Sequence, residues 1–466
     1  MEDAQVTPTA IDLAAVAERT VITPPLTLGC SAEGAKDVPV VLGLLDRLKR
    51  TLAATVPSPS TRQGGIHDGL TVLITGATGA LGAHTLGHLV EVPRIRRIVC
   101  PCRALSDVAA EQRVEESLLL RGVPSISTLR ASGVAIECVK MGASQPGFGL
   151  DPERLLDLRS SVTTVIHMAW PVHWKLPLSG FVEILQTLRS LLAYFPSAQH
   201  FFISSIAAVL AATNACVIPE SLDPDPRSAW LCYGQSKWIA EHLCAYAADL
   251  GIRCTVVRVG QLSGDTRHGR WNPYEAYPAL LRSVAVLRIL PSRELLGTHL
   301  QWLPIDHAAW CVATLASSSA GLFSYPASGR PRVNLINLVS KRPFSWASLL
   351  EHLAEPCNLG NTFRIVDYDV FLSRLRLADV RQCYAVRLYG AYAFWSAMQG
   401  SKGFASDRLQ TTLIESLLAR GVGKEKAKSE VGTRLAGVDG EGIARMIAAW
   451  RESGHLPPST ELKARL

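Results

Sequence analysis

Apolar positions along the 466-residue chain change their period more than once, and the changes mark out three segments. Between residue 1 and about residue 65, Pro and small polar residues recur. Inside that stretch Val40 to Ala54 (VVLGLLDRLKRTLAA) carries apolar residues at helical spacing beneath a basic outer face. This predicts a leader or linker, 1–65, with one helix packed on the next domain. From Leu70 the pattern shortens. Leu70–Thr75 (LTVLIT) is an apolar, β-branched run that stops at a glycine, the pattern of a parallel strand buried on both faces. Similar runs follow at Arg97–Cys102, Val134–Lys140, Thr164–His167, His200–Ser204 and Cys254–Val259. Helical spacing fills the gaps at Ala80–Val90, Val108–Leu120, Leu178–Tyr194 and Gln235–Leu250. Strands alternating with helices predict an α/β fold, a Rossmann-like doubly wound parallel sheet over 66–260.

After Val259 the alternation stops. Gly260–Leu300 reads as loop and helix with many aromatics, and Val333–Val339 as a late strand. Helical periodicity then appears at Trp346–Leu353, Ala378–Met398, Leu409–Leu418 and Gly442–Trp450. The expectation is a smaller, helix-rich substrate domain over 261–466 that caps the sheet, with some return of the chain to the sheet near 300–340.

Composition narrows the classes. Apolar residues make up 48% and charged residues 19%, so the chain is globular rather than disordered. The excess of +7 positive charges is spread along the chain. It gives no sign of nucleic-acid binding and fits an anionic cofactor or an acidic protein partner equally well. The eleven Cys include no CxxC and read as reduced thiols in the cytoplasm. The first residues, Met1 to Gln5, are acidic and lack an apolar run, and no run of about 18 apolar residues occurs. Neither a signal peptide nor a membrane span is expected.

Chemistry concentrates where strands end. Thr75-Gly76-Ala77-Thr78-Gly79-Ala80-Leu81-Gly82 joins the first strand to the first helix. Gly76 permits a tight turn, Gly79 lets backbone approach a pyrophosphate, and Gly82 lets the helix pack close to the sheet. Free N–H groups at the helix start would hold the phosphates. The second strand ends in Cys100-Pro101-Cys102-Arg103, with no carboxylate at its tip and Arg103 at the position for a 2′-phosphate. The cofactor is therefore read as NADPH. Arg113 on the next helix is either a second phosphate contact or part of a solvated face.

Tyr233 and Lys237 stand four apart, on one face of a helix. A lysine ammonium beside a phenol stabilises phenolate, and such a Tyr can give a proton to a carbonyl oxygen as hydride arrives. The preceding strand ends in Ser204-Ser205, where a hydroxyl could hold the same oxygen. Three further groups admit two readings each. His84 and His88 have metal-ligand spacing, but no third ligand is evident, so they read as structural and no metal is expected. Trp170, His173 and Trp174 either line a substrate channel or simply pack. Arg267, His268, Arg270 and Trp271 form a basic loop that either meets a phosphate or an acidic carrier, or is merely solvated.

With these residues in place, the chain resembles the extended short-chain dehydrogenases/reductases. More narrowly it resembles the thioester reductase domains of nonribosomal peptide synthetases and fungal synthetase-like carboxylate reductases. The resemblance covers roughly residues 66–456 and rests on Cys102-Arg103-Ala104, Val165–Val172 (VIHMAWPV), Val257–Asp265 (VRVGQLSGD), Trp302–Asp306 (WLPID) and Trp450–Gly454 (WRESG). It implies that NADPH reduces a carrier-bound acyl or peptidyl thioester to an aldehyde, in some members on to the alcohol. Thr75, Gly76, Thr78, Gly79, Ala80, Leu81, Gly82, Arg103, Arg113 and Ala169 would then bind cofactor. Ser205, Tyr233 and Lys237 would act on the carbonyl, the last two also touching cofactor. Trp170, His173 and Gln261 would meet substrate. Ser205 matches the family's Ser/Thr position better than Ser204.

The chain departs from the family where an adenine-contacting Asp is usual, here Ala143, and where Asn is usual, here Met168. No adenylation or carrier domain is evident, so the chain reads as a domain cut from a larger protein or a reductase acting in trans. Competing readings are a reductase or epimerase on a free small molecule, a non-reducing cyclase, and an NADPH-binding regulatory protein.

Overall fold

The computed structural model describes residues 38–56, 69–142, 145–212, 217–292, 299–317, 333–355, 358–360, 362–397 and 403–457. The rest of the expected leader and Ala143 lie outside the described residues.

Seven parallel strands form the central sheet: β1 (Leu70–Thr75), β2 (Ile95–Cys102), β3 (Ala135–Lys140), β4 (Thr164–His167), β5 (Gln199–Ser205), β6 (Arg253–Val259) and β7 (Asn334–Leu338). Their spatial order is β7-β6-β5-β4-β1-β2-β3. All six neighbouring pairs are parallel. The order reverses between β1 and β4, and the carboxyl-end crevice of a doubly wound sheet opens at that reversal. Side chains alternate between faces, as the pleat requires. Val72 and Ile74 join one core cluster with helices Ala80–Leu89, Asp107–Leu120 and Ile305–Ala316. Leu73, Val99 and Val165 point to the opposite side.

On that opposite side lie helices Val182–Tyr194 and Leu231–Asp249. Helix Val38–Thr55 covers them from outside and inserts Val41, Leu44, Leu45, Leu48 and Leu52. Each such buried side chain is worth about 1.5–3 kcal/mol. The i, i+3, i+4 spacing that predicts the helix is thus the spacing that makes it part of the core.

A third core belongs to the cap. Trp271, Tyr277, Trp302, Trp346, Phe371 and Trp450 are buried together, with Trp271 and Trp302 rings 4.9 Å apart in an edge-on contact.

The chain does not keep cap and sheet separate in sequence. Helix Ile305–Ala316 packs on Ala80–Leu89, β7 closes the sheet, and Asp407–Ala419 and Lys424–Arg434 join the sheet-side core. Two local expectations are corrected. Ala378–Met398 is not one helix: α-helix spans only Tyr389–Ala397, after a turn at Asp379 and a 3-10 turn at Tyr384–Leu388. The Asp379 side chain accepts the Arg381 N–H at 2.9 Å, a local bond that competes with helix. Helix Ile305–Ala316 has no counterpart in the sequence reading. Its apolar residues Ile305, Ala308, Ala309, Val312 and Leu315 keep the i, i+3, i+4, i+7 spacing of a helix, with Asp306 and His307 on the other arc, a signal the sequence reading passed over.

Candidate active site

The phosphate loop has the geometry its glycines imply. Gly76 adopts φ 83°, and a Cβ there would lie 2.7 Å from the Ala169 nitrogen. A Cβ on Gly82 would lie 2.0 Å from the Gly76 carbonyl oxygen. Gly79 is the N-cap of helix Ala80–Leu89 and supplies no side-chain cap. N–H groups of the first turn therefore remain for an anion. Thr75 stitches the loop to β4. The Ala169 N–H donates to its hydroxyl at 3.3 Å, and the hydroxyl in turn bonds His167 Nδ1 at 2.8 Å. Burial holds the His167 imidazole neutral, its pKa pushed down to about 3.

At the tip of β2 Arg103 is exposed and Arg113 lies beside it, donating to the Arg103 carbonyl oxygen. Two exposed guanidinium-bearing residues thus flank one strand end.

Across the crevice stands helix Leu231–Asp249. Leu231 opens it in a left-handed conformation, φ 57°, and Trp230 N–H donates to the Ala207 carbonyl at 2.8 Å. A non-glycine residue held there marks stored strain on the order of 1–3 kcal/mol, typical of functional sites. Gly234 lets the helix approach the turn at Ile206–Ala208, since a Cβ would lie 2.3 Å from the Ala207 oxygen. The close approach brings Tyr233 to Ser205. Burial pushes the Tyr233 phenol up to about 12, against a hydrogen bond with Ser205 that acts in the opposite direction. The lowering expected from Lys237 is not what this arrangement gives. The Lys237 ammonium lies 6.0 Å from the Tyr233 ring centre, donates to the Ile203 carbonyl at 2.7 Å, and is itself held well below its ordinary pKa by burial. A phenol that keeps its proton at neutral pH is suited to act as an acid.

Ser204 and Ser205 take different roles. The Ser204 hydroxyl donates to Glu241 at 2.6 Å and is buried. Ser205 accepts the Ala207 N–H at 3.2 Å and faces Tyr233. Glu241, Arg258 and His167 were not singled out from the sequence. The signal for Glu241 was its place one further turn along the Tyr233–Lys237 face.

The expected substrate residues separate. Trp170 lies with its ring centre 4.2 Å from the Lys237 ammonium and donates Nε1–H to Ser236 at 3.1 Å. It is a roof over Lys237. His173 is exposed, and Trp174 packs edge-on against Trp230 at 4.6 Å. Gln261, just past β6, donates its side-chain N–H to the Leu262 carbonyl at 2.7 Å.

The basic loop is organised by Asp265, which accepts N–H groups from Arg267, His268 and Arg270. Arg270 also donates to the Leu119 and Leu120 carbonyls at the end of helix Asp107–Leu120. Arg267 stays exposed and Trp271 is buried. His84 is buried with its pKa lowered by desolvation, and His88 pairs with Glu91 at 3.1 Å. Among the described residues no group of three His, Cys, Asp or Glu is placed to hold a metal.

A dinucleotide fits what is present. Gly76 and Gly82 clear the backbone, the uncapped helix start leaves N–H groups for a pyrophosphate, and an exposed Arg pair flanks the end of β2. Tyr233, Ser205 and Lys237 stand at the carboxyl end of the same sheet, a phenol, a hydroxyl and an amine held close together.

Known proteins resemble this chain in sequence and in fold. Residues 74–312 match the NAD-binding family described as male sterility protein. The adenylate-forming reductase Nps10 of Heterobasidion annosum is 31% identical over 315 residues, 66% of this chain and 27% of that protein. The clavatol synthase claF of Penicillium crustosum is 29% identical over 413 residues, 84% of this chain and 15% of its own length. The chain thus spans about a quarter or less of these relatives. In fold it is similar to the terminal R domain from the myxalamid PKS-NRPS pathway, with TM-score 0.71, 20% identity, and coverage of 90% of this chain and 99% of that one. A reductase domain of a non-ribosomal peptide synthetase from Mycobacterium tuberculosis gives TM-score 0.65 at 21% identity, over 89% and 99% of the two chains.

Proposed function

The chain belongs to the male sterility family of NAD-binding proteins, and we propose that it is an NADPH-dependent reductase that releases a carrier-bound acyl or peptidyl thioester as an aldehyde. The observation that carries the reading is the cluster of Tyr233, Ser205 and Lys237 at the carboxyl end of the sheet that also carries the uncapped glycine-rich helix start. Relatives described as adenylate-forming reductases support the reaction class.

Thr75, Gly76, Thr78, Gly79, Ala80, Leu81 and Gly82 would hold the pyrophosphate, Arg103 and Arg113 the 2′-phosphate, and Ala169 the backbone position next to the loop. When bound, the nicotinamide supplies hydride to the thioester carbonyl carbon. Tyr233 gives its proton to the carbonyl oxygen, and Ser205 holds that oxygen. Lys237 assists by orienting the cofactor ribose beside Tyr233. The resulting hemithioacetal collapses by cleavage of the C–S bond, giving aldehyde and the free carrier thiol. His173 and Gln261 are assigned to the acyl or pantetheine path, with Trp170 closing the site over Lys237. The partner is an acyl or peptidyl carrier protein. The compartment is cytoplasmic, in keeping with unpaired Cys100, Cys138, Cys244 and Cys254. Among the described residues no helix is long and apolar enough to cross a membrane.

The test is NADPH consumption with an acyl-pantetheine thioester, with products identified by mass spectrometry, on wild type and Tyr233→Phe. Aldehyde or alcohol from the wild type is expected, with turnover about 10²–10⁴-fold lower in the variant and NADPH still bound. Wild-type turnover in Tyr233→Phe removes Tyr233 from the mechanism. Bound NADPH with no consumption, on pantetheine or carrier thioesters, overturns the reading.

A further inference from the structure

A buried ionic network lies one helical turn beyond Lys237. Glu241 is fully buried, as is Arg258 on β6. The guanidinium meets the carboxylate twice, Nη2 to Oε2 at 2.6 Å and Nε to Oε1 at 3.0 Å. Ser204 donates to Oε1 as well, at 2.6 Å. Ser204 sits between the two residues that matter most on β5. Ile203 offers the carbonyl that receives the Lys237 ammonium, and Ser205 meets Tyr233. A buried ion pair is in general no more stabilising than apolar side chains of the same volume. Stability alone therefore does not account for one at this position.

We propose that Glu241 is a positioning residue for the Tyr233–Lys237 pair: through Ser204 it fixes the end of β5 that holds Lys237 and Ser205, and it gives Lys237 a buried counter-charge. The inference rests on the reductase reading of Tyr233 and Lys237. Glu241 and Lys237 are i, i+4 on one helix face. Other groups facing Lys237 are few. Tyr233 and Cys244 come from its own helix and His167 from β4, while Trp170 and Phe202 present ring faces. His167 is neutral at any assay pH above its value of about 3. Arg258 is bonded to Glu241, and Lys49 of helix Val38–Thr55 lies over Tyr246 instead. Glu241 is thus the carboxylate that opposes the desolvation of Lys237, raising its proton affinity where burial lowers it.

Two variants test this: Glu241→Gln, and the paired Glu241→Met with Arg258→Met. The paired change removes both charges at similar volume, so a folding failure of the single variant leaves a folded protein to measure. The readout is NADPH affinity against pH by fluorescence, and separately kcat/KM against pH. With the counter-charge gone Lys237 loses its proton earlier. The alkaline fall in both quantities should begin about one pH unit lower than in wild type. A folded variant with the wild-type pH profile, or one weakened by the same factor at every pH, overturns the proposal. The affinity arm needs no thioester. A wild type that binds NADPH with the expected alkaline fall but reduces no thioester sinks the reductase reading and leaves the role of Glu241 decidable. A wild type whose affinity has no alkaline fall sinks the role of Glu241 and leaves thioester reduction standing.

Discussion

Gly82 packs against Gly76 so closely that a Cβ on Gly82 would sit 2.0 Å from the Gly76 carbonyl oxygen. The obstacle is backbone, which cannot rotate aside. Gly82→Ala must push the start of helix Ala80–Leu89 away from the loop and misaim its N–H groups. The expected outcome is NADPH affinity at least about tenfold weaker, roughly 1.4 kcal/mol, read by fluorescence titration.

Arg103 and Arg113 are joined through the Arg103 carbonyl. Arg103→Ala should weaken NADPH by about 10–100-fold, the loss of a charge-assisted contact of roughly 1.5–3 kcal/mol. NADH, which has no 2′-phosphate, should bind the variant as it binds wild type. Arg113→Ala should act in the same direction and more weakly. Equal losses for both cofactors would remove the pair from phosphate recognition.

Two buried histidines make the fold acid-sensitive. Burial lowers His167 to about 3 and His200 to about 4, from 6.5. Below pH 6.5 the unfolded chain binds protons that the native state refuses, so stability is complete above 6.5 and is lost as pH falls toward the folded values. Each group removes about 1.4 kcal/mol per pH unit in that window. Urea unfolding at pH 5 should therefore show about 4 kcal/mol less stability than at pH 7, apart from other titrating groups. Replacing His200, whose Nε2 bonds the Phe195 carbonyl at 2.8 Å, should flatten the slope by about half.

Helix Val38–Thr55 offers a paired test of packing against propensity. Leu52 is fully buried, and Leu52→Ala should cost about 2–5 kcal/mol. Gly43 is exposed in the same helix with no atom near the place of a Cβ. Gly43→Ala should add about 0.5–1 kcal/mol. Thermal unfolding of the two variants reads both signs.

Strand ends were legible in the sequence because a parallel sheet buries both faces. LTVLIT and TVIH are continuous apolar runs, and Leu70–Thr75 and Thr164–His167 are strands within those bounds. The glycine spacing likewise carried the phosphate loop, since only glycine satisfies contacts of this length. What stayed hidden depends on neighbours distant in sequence. Glu241 and Arg258 are 17 residues apart and meet only because β6 follows the helix back into the sheet. Ser205 is preferred to Ser204 by a resemblance alone, at a difference of one residue, and the structure adds that the Ser204 hydroxyl is taken by Glu241. The state of Tyr233 depends on desolvation, which no spacing reveals.

The interleaving of cap and sheet has a mechanical consequence. Between aromatic cap segments the chain returns to the sheet layer at Ile305–Ala316 and β7, and again at Asp407–Arg434, before the last helix, Gly440–Glu452, re-enters the cap through Trp450. A flap hung on one hinge can swing as a rigid body, whereas a cover sewn down at several points cannot. Access to the crevice then has to come from side chains turning and loops yielding around it, while the frame that aims Tyr233 at the sheet end stays still.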